Sequence, residues 1–123
     1  MVVDCGHDKY QCDSANDLER VIRELLALDS AEVWISQKGE QDEYPCMALL
    51  VNERCAVLNY FGDDGSCYSS SNGSHTDGFV SFCDGQYEIH SYQVISKEAA
   101  LTAVLDHYRD NGRSSAVMWD QLY

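Results

Sequence analysis

Two apolar runs, residues 44–51 and 54–61, are separated only by Asn52 and Glu53, and they constrain this chain more than anything else in it. Met47, Ala48, Leu49, Leu50 and Val51 follow one another without a polar position, as do Ala56, Val57 and Leu58. Alternation would mark strands with one wet face. Unbroken apolar runs mark strands buried on both faces. The pair therefore predicts a central hairpin. Asn52 suits the first position of a primed turn and Glu53 does not suit the second, so a slightly longer loop is also compatible.

Helices flank this hairpin. Ser14 and Asp17 have the capping-box form, in which the hydroxyl serves an orphan N–H and an acid sits in the first turn. Leu18, Val21, Ile22, Leu25 and Leu26 then make one apolar stripe that should end near Leu28. Ser96 caps a second helix with the stripe Ala100, Leu101, Val104, Leu105 and Tyr108, and Asn111-Gly112 stops it. Residues 32–36 read as a strand and residues 38–43 as a loop. Residues 79–83 and 86–90 flank Asp84-Gly85 as a hairpin with a two-residue turn. A short edge strand is expected at Val2-Val3 or at residues 10–12, and a last apolar segment at residues 116–119. Residues 62–78 are dominated by Gly, Ser, Asn and Asp and read as a flexible loop, with a short strand possible at Cys67-Tyr68-Ser69. Helix, strands, helix is the α+β order: a largely antiparallel sheet of about five to six strands with two helices packed on it. At 123 residues the chain makes one domain spanning residues 1–123.

Charge narrows the function. Twenty-one acids stand against eight Lys and Arg, for a net charge of −13 and a pI near 4.3. Such a surface repels phosphates and anionic membranes and speeds encounter with basic partners. The basic residues are scattered and form no stripe, so no nucleic-acid partner is expected. No apolar run approaches the roughly 20 residues of a membrane span. Asp4 follows Met1-Val2-Val3 directly, which is unlike a signal peptide, so the expected compartment is the cytosol.

Catalytic and metal motifs are weak. Six cysteines without an export signal read as free structural thiols, with Cys46, Cys55 and Cys83 inside apolar strand patterns. No Cys-x-x-Cys pair exists, and His7, His75, His90 and His107 share no ligand spacing with cysteine, so neither metal nor cofactor is expected. His75 and Asp77 read as a solvated loop pair, and His107 beside Asp106 as a solvated helix flank. Cys67 would be the nucleophile of a cysteine-dependent enzyme, although acidic surroundings raise a thiol pKa. The acids do cluster beside aromatics: Glu40, Asp42 and Glu43 precede Tyr44, while Asp63 and Asp64 precede Tyr68, with Asp77 further along. Phe61 reads as the end of a core strand and Trp119 as core packing of the tail. Acids steer a basic partner and aromatics anchor it, so these eight residues are the candidate partner-binding set.

Three stretches carry a family resemblance: the hairpin from Met47 to Phe61 with the Gly/Asp/Ser-rich segment after it, Val94-Ile95-Ser96-Lys97-Glu98 at the last helix, and the tail Val117-Met118-Trp119-Asp120-Gln121-Leu122. With them the chain resembles the Imm-type immunity proteins of bacterial polymorphic toxin systems, commonly paired with deaminase and nuclease toxins. The resemblance implies an α+β protein without enzymatic activity that binds a cognate protein toxin and covers its basic active-site surface. A regulatory or scaffold domain is the alternative reading.

Overall fold

The computed structural model describes residues 1–74 and 77–123, so His75 lies outside the described part. The chain runs β1 (Val2–Asp4), β2 (Lys9–Gln11), α1 (Ala15–Leu26), β3 (Ser30–Ser36), β4 (Cys46–Asn52), β5 (Ala56–Phe61), β6 (Cys67–Ser71), β7 (Phe79–Phe82), β8 (Tyr87–His90), a 3₁₀ turn (Ser91–Gln93), α2 (Lys97–Asp110) and β9 (Met118–Gln121). Seven strands form one antiparallel sheet in the order β2-β1-β3-β4-β5-β6-β9, and β7 pairs with β8 separately. The α+β class is as expected. The strand count is higher, because both short N-terminal segments pair and β6 and β9 extend the sheet beyond the central hairpin.

Both helices start where a serine supplies the missing acceptor. Ser14 Oγ accepts from Asp17 N at 3.1 Å, and Ser96 Oγ accepts from Ala99 N at 3.1 Å. The first helix ends at Leu26, two residues before the expected Leu28. The second ends where Asn111 takes the left-handed conformation (φ 54°). Lys97 Nζ donates to Leu26 O at 2.6 Å, fastening the start of α2 to the last turn of α1.

The central hairpin is indeed buried on both faces. On one face Met47, Leu49, Val51, Ala56 and Leu58 pack with Leu18, Val21, Ile22 and Leu25 of α1 and Leu101 and Val104 of α2. On the other, Leu50 and Val57 pack under Phe82 of the β7–β8 hairpin. The β4–β5 turn is a longer loop: Asn52 Oδ1 accepts from Arg54 N and Cys55 N, both at 2.9 Å. Asn52 Nδ2 also donates to Ser81 O at 3.1 Å, tying this turn to β7. The β7–β8 connection corrects the two-residue Asp-Gly turn. Phe82 pairs with Tyr87, so residues 83–86 form the loop, and positive φ falls on Cys83, Asp84 and Gly85.

The segment at 62–78 is not one loop. Its middle is β6, inside the sheet, leaving a turn at 62–66 and a connection after Ser71 at opposite ends of that strand. The seam between β5 and β6 is partly made by side chains. Backbone pairing covers only Asn59–Phe61 against Cys67–Ser69. Beyond it, Leu58 N donates to Ser70 Oγ at 3.1 Å, and that hydroxyl donates to Gln93 O at 2.7 Å. Gln93 Nε2 donates to Ser69 Oγ at 3.0 Å. Among the described residues, no helix is long and apolar enough to cross a membrane.

If the β7–β8 hairpin is an integral second core, Phe82→Ala, at a side chain only 1 % exposed, costs about 3–5 kcal/mol in urea unfolding. A cost under about 0.5 kcal/mol is the signature of a surface position and contradicts that placement.

Candidate functional site

Strand alternation decides which side chains reach the face left open by the β7–β8 hairpin. Val33 and Ile35 of β3 are buried under the helices, so Trp34 between them points to the opposite face, where it is 45 % exposed. Register aligns Trp34 with Asp4 and Ala48, and Cys46 with Phe61. Ala48 and Cys46 are small, so rings from β3 and β5 meet across β4: Trp34 and Phe61 stack with centroids 5.9 Å apart and planes at 24°. Phe61, expected in the core, is thus a half-buried part of an open groove.

Residues 37–45 wall this groove. Ser36 Oγ accepts from Gly39 N at 3.0 Å. The Glu43 carboxylate accepts from Lys38 N (2.9 Å to its nearer oxygen) and Glu40 N (3.1 Å). Gly39 has φ +74°, and a Cβ there would stand 2.8 Å from Val2 Cγ1, so the close approach of loop to sheet requires glycine. The result is a groove of about 460 Å³ whose lining includes Trp34, Phe61, Tyr44, Glu40 and Asp42. Tyr44 is 53 % exposed. Among the described residues Lys9 is the one cation in the lining, and it faces Asp4 at 3.9 Å.

The eight candidate residues divide. Register puts the 37–45 loop and the 62–66 turn at the same end of the sheet, because Cys46 at the start of β4 pairs with Phe61 at the end of β5. Glu40, Asp42, Glu43, Tyr44, Asp63 and Asp64 therefore share one end. Asp77 lies at the other, in a cleft with Ser71, Tyr92 and Met118. Not all of the acids are available. Partial burial works to raise the Glu43 pKa, but hydrogen bonds from backbone N–H groups of Glu40, Lys38, Gln37 and Gly39 outweigh it and hold it below the ordinary glutamate value. Asp64 accepts from the hydroxyl and the backbone N–H of Ser66, which lowers its pKa. Tyr68 faces the helix layer, and the Arg113 guanidinium covers its ring 3.6 Å from the centroid. Among the described residues, the Glu40 and Asp42 side chains take no part in any hydrogen bond or ion pair.

Other expectations change with the fold. Cys67 sits buried in an inner strand, not in an open loop, and burial raises its thiol pKa while a contact with Tyr123 opposes the rise. All six cysteines are free. Cys46 opens β4, while Cys55 and Cys83 lie in turns. His107 is not a solvated flank. It is fully buried, its Nδ1 lies 3.3 Å from Gly112 O, Tyr60 meets it edge-on at 5.7 Å, and its Nε2 has no partner among the described residues. Burial lowers its pKa against the opposing bond to Gly112. Trp119 packs half-buried against the helix-side core, with Nε1 donating to Ser114 O at 2.9 Å. The β1–β2 turn gathers Cys5, His7 and Asp8, whose donor atoms lie within 4.8 Å of one another. A thiolate, an imidazole and a carboxylate are zinc-type donors, here one short of the four of a closed structural site, with Cys5 half-buried and His7 and Asp8 exposed.

No protein-family model matches the chain, and no curated protein is significantly similar to it.

Two measurements check these assignments. Glu43→Ala should speed amide exchange at Lys38 and Glu40 about tenfold near neutral pH. A lowered carboxylate pKa stabilises only the ionised side, so the wild-type protection should fade as pH drops through that lowered value. His107 has the same sign in a higher pH range. Its imidazole takes up a proton more readily once unfolded, so stability should decline as pH falls below the ordinary 6.5. His107→Gln should lose that part of the decline between about pH 7 and pH 5, measured by urea unfolding.

Proposed function

We propose that this chain is an immunity protein: it binds a cognate toxin, a nucleic-acid deaminase or nuclease, and covers the toxin's basic active-site surface. The observation that carries the reading is the loop end of the sheet. There, on a chain of net charge −13, Glu40 and Asp42, unpaired among the described residues, rim a groove that presents Trp34 and Tyr44. An enzyme acting on a polyanion needs a basic channel, and an acidic protein surface can occupy one. Exposed aromatics beside unpaired acids provide anchor area and steering together. The family resemblance of the hairpin and tail supports the same reading, with the bacterial cytoplasm as the place of action.

The surface assigned to the partner is the groove rim with Asp63. Glu43, Asp64 and Tyr68 shape the loops and the end of the sheet, and Asp77 lies apart.

Co-expression with the product of the adjacent upstream gene, followed by co-purification and a growth assay, tests the reading. Rescue of growth with a stoichiometric complex is the expected result; a toxic product that this chain neither binds nor neutralises contradicts it. Within such a complex, Asp42→Lys with Asp63→Lys should slow association about tenfold at low salt, the difference shrinking as salt rises. An unchanged association rate would place the interface elsewhere.

A further inference from the structure

We propose that the groove between Trp34, Phe61 and the 37–45 loop is an anchor pocket for one arginine side chain of a basic protein partner. The inference rests on the partner-binding reading above and specifies what that surface recognises.

The chemistry of the groove selects the occupant. Its floor is aromatic, with the Trp34 ring stacked on Phe61 and still 45 % exposed. An aromatic face attracts a planar cation, and a guanidinium stacks on it while keeping its edge free for hydrogen bonds. The rim supplies acceptors for that edge. Glu43 is occupied by backbone N–H groups, and Asp4 is shared between Gly6 N at 2.9 Å and Lys9. Glu40 and Asp42 remain unengaged among the described residues, on the same groove. The volume of about 460 Å³ holds a long side chain with part of its backbone, and exceeds what a metal ion or a water needs. An anionic ligand is opposed by the rim, and a purely apolar one would leave two carboxylates facing it unpaired. Arg113 illustrates the preference within the chain itself, lying over the Tyr68 ring at the same end of the sheet.

The protein has two tryptophans, Trp34 and Trp119, so their indole N–H resonances read the groove and a distant control separately. N-acetyl-arginine amide is titrated at low salt, with N-acetyl-citrulline amide as the uncharged shape match. The expected result is a saturable shift at Trp34 for arginine, none at Trp119, and little response to citrulline. Glu40→Gln with Asp42→Asn, both exposed loop positions, should weaken the arginine response about tenfold while the spectrum stays folded. Equal responses to arginine and citrulline, no saturable shift at Trp34, or a shift indifferent to the double variant would overturn the pocket. The functional reading fails separately. It is lost if the upstream gene product is neither bound nor neutralised, whatever arginine does. It stands if that complex forms while the arginine titration is negative, in which case the pocket alone is wrong.

Discussion

Burial of the β4–β5 hairpin from both sides is the constraint on which the rest of the molecule depends. A strand with apolar residues in both phases must be covered twice. The helices α1 and α2 cover Leu49, Val51 and Leu58, and the β7–β8 hairpin covers Leu50 and Val57. The second cover is only two short strands, so it cannot span a seven-stranded sheet. What it leaves open, around Trp34, Phe61 and Cys46, becomes the groove. The candidate site is thus a by-product of how the second core is closed, and its aromatic floor is continuous with that core's sheet.

Much of this was legible because it is local. The stripes of α1 and α2, their serine caps and the double apolar runs all declare themselves within a few residues. The strands away from the hairpin declare themselves only in part. The possible strands at residues 10–12 and 67–69 and the apolar segment at 116–119 do become strands, but their bounds, Lys9–Gln11, Cys67–Ser71 and Met118–Gln121, are set by the neighbour that supplies the ladder. Cys67 illustrates the point: its serine-rich stretch reads as loop by composition, yet it lies between two partner strands, β5 and β9.

The site was legible as composition and hidden as geometry. The cluster of acids beside Tyr44 could be read, and so could the phase of Trp34, opposite to Val33 and Ile35. Which acids are available could not. Glu43 turns inward because its own loop points the N–H groups of Lys38 and Glu40 at it, and Asp64 because Ser66 does the same. Tyr68 lies beneath Arg113, forty-five positions further along the chain, a pairing that depends on β6 and the end of α2 meeting. His107 reads as a solvated flank from its neighbour Asp106, which faces partly outward, while the imidazole itself faces Tyr60 across the core boundary.

The hydroxyl seam between β5 and β6 has a consequence for cooperativity. Over most of the sheet, strands are joined by continuous backbone ladders, whereas at Leu58 the ladder passes through Ser70 Oγ to Gln93. A backbone ladder transmits strain along every residue; a side-chain bridge can rotate away as one unit. Opening there would release a two-stranded panel, β6 with β9, by breaking the short ladder from Asn59 to Phe61 and the Ser70 bridge, whereas the ladders of β4 with β3 and with β5 run along nearly the whole of β4. Cys67 N donates to Tyr123 O at 2.7 Å, so the residues after β9 are fastened to the same panel and would move with it.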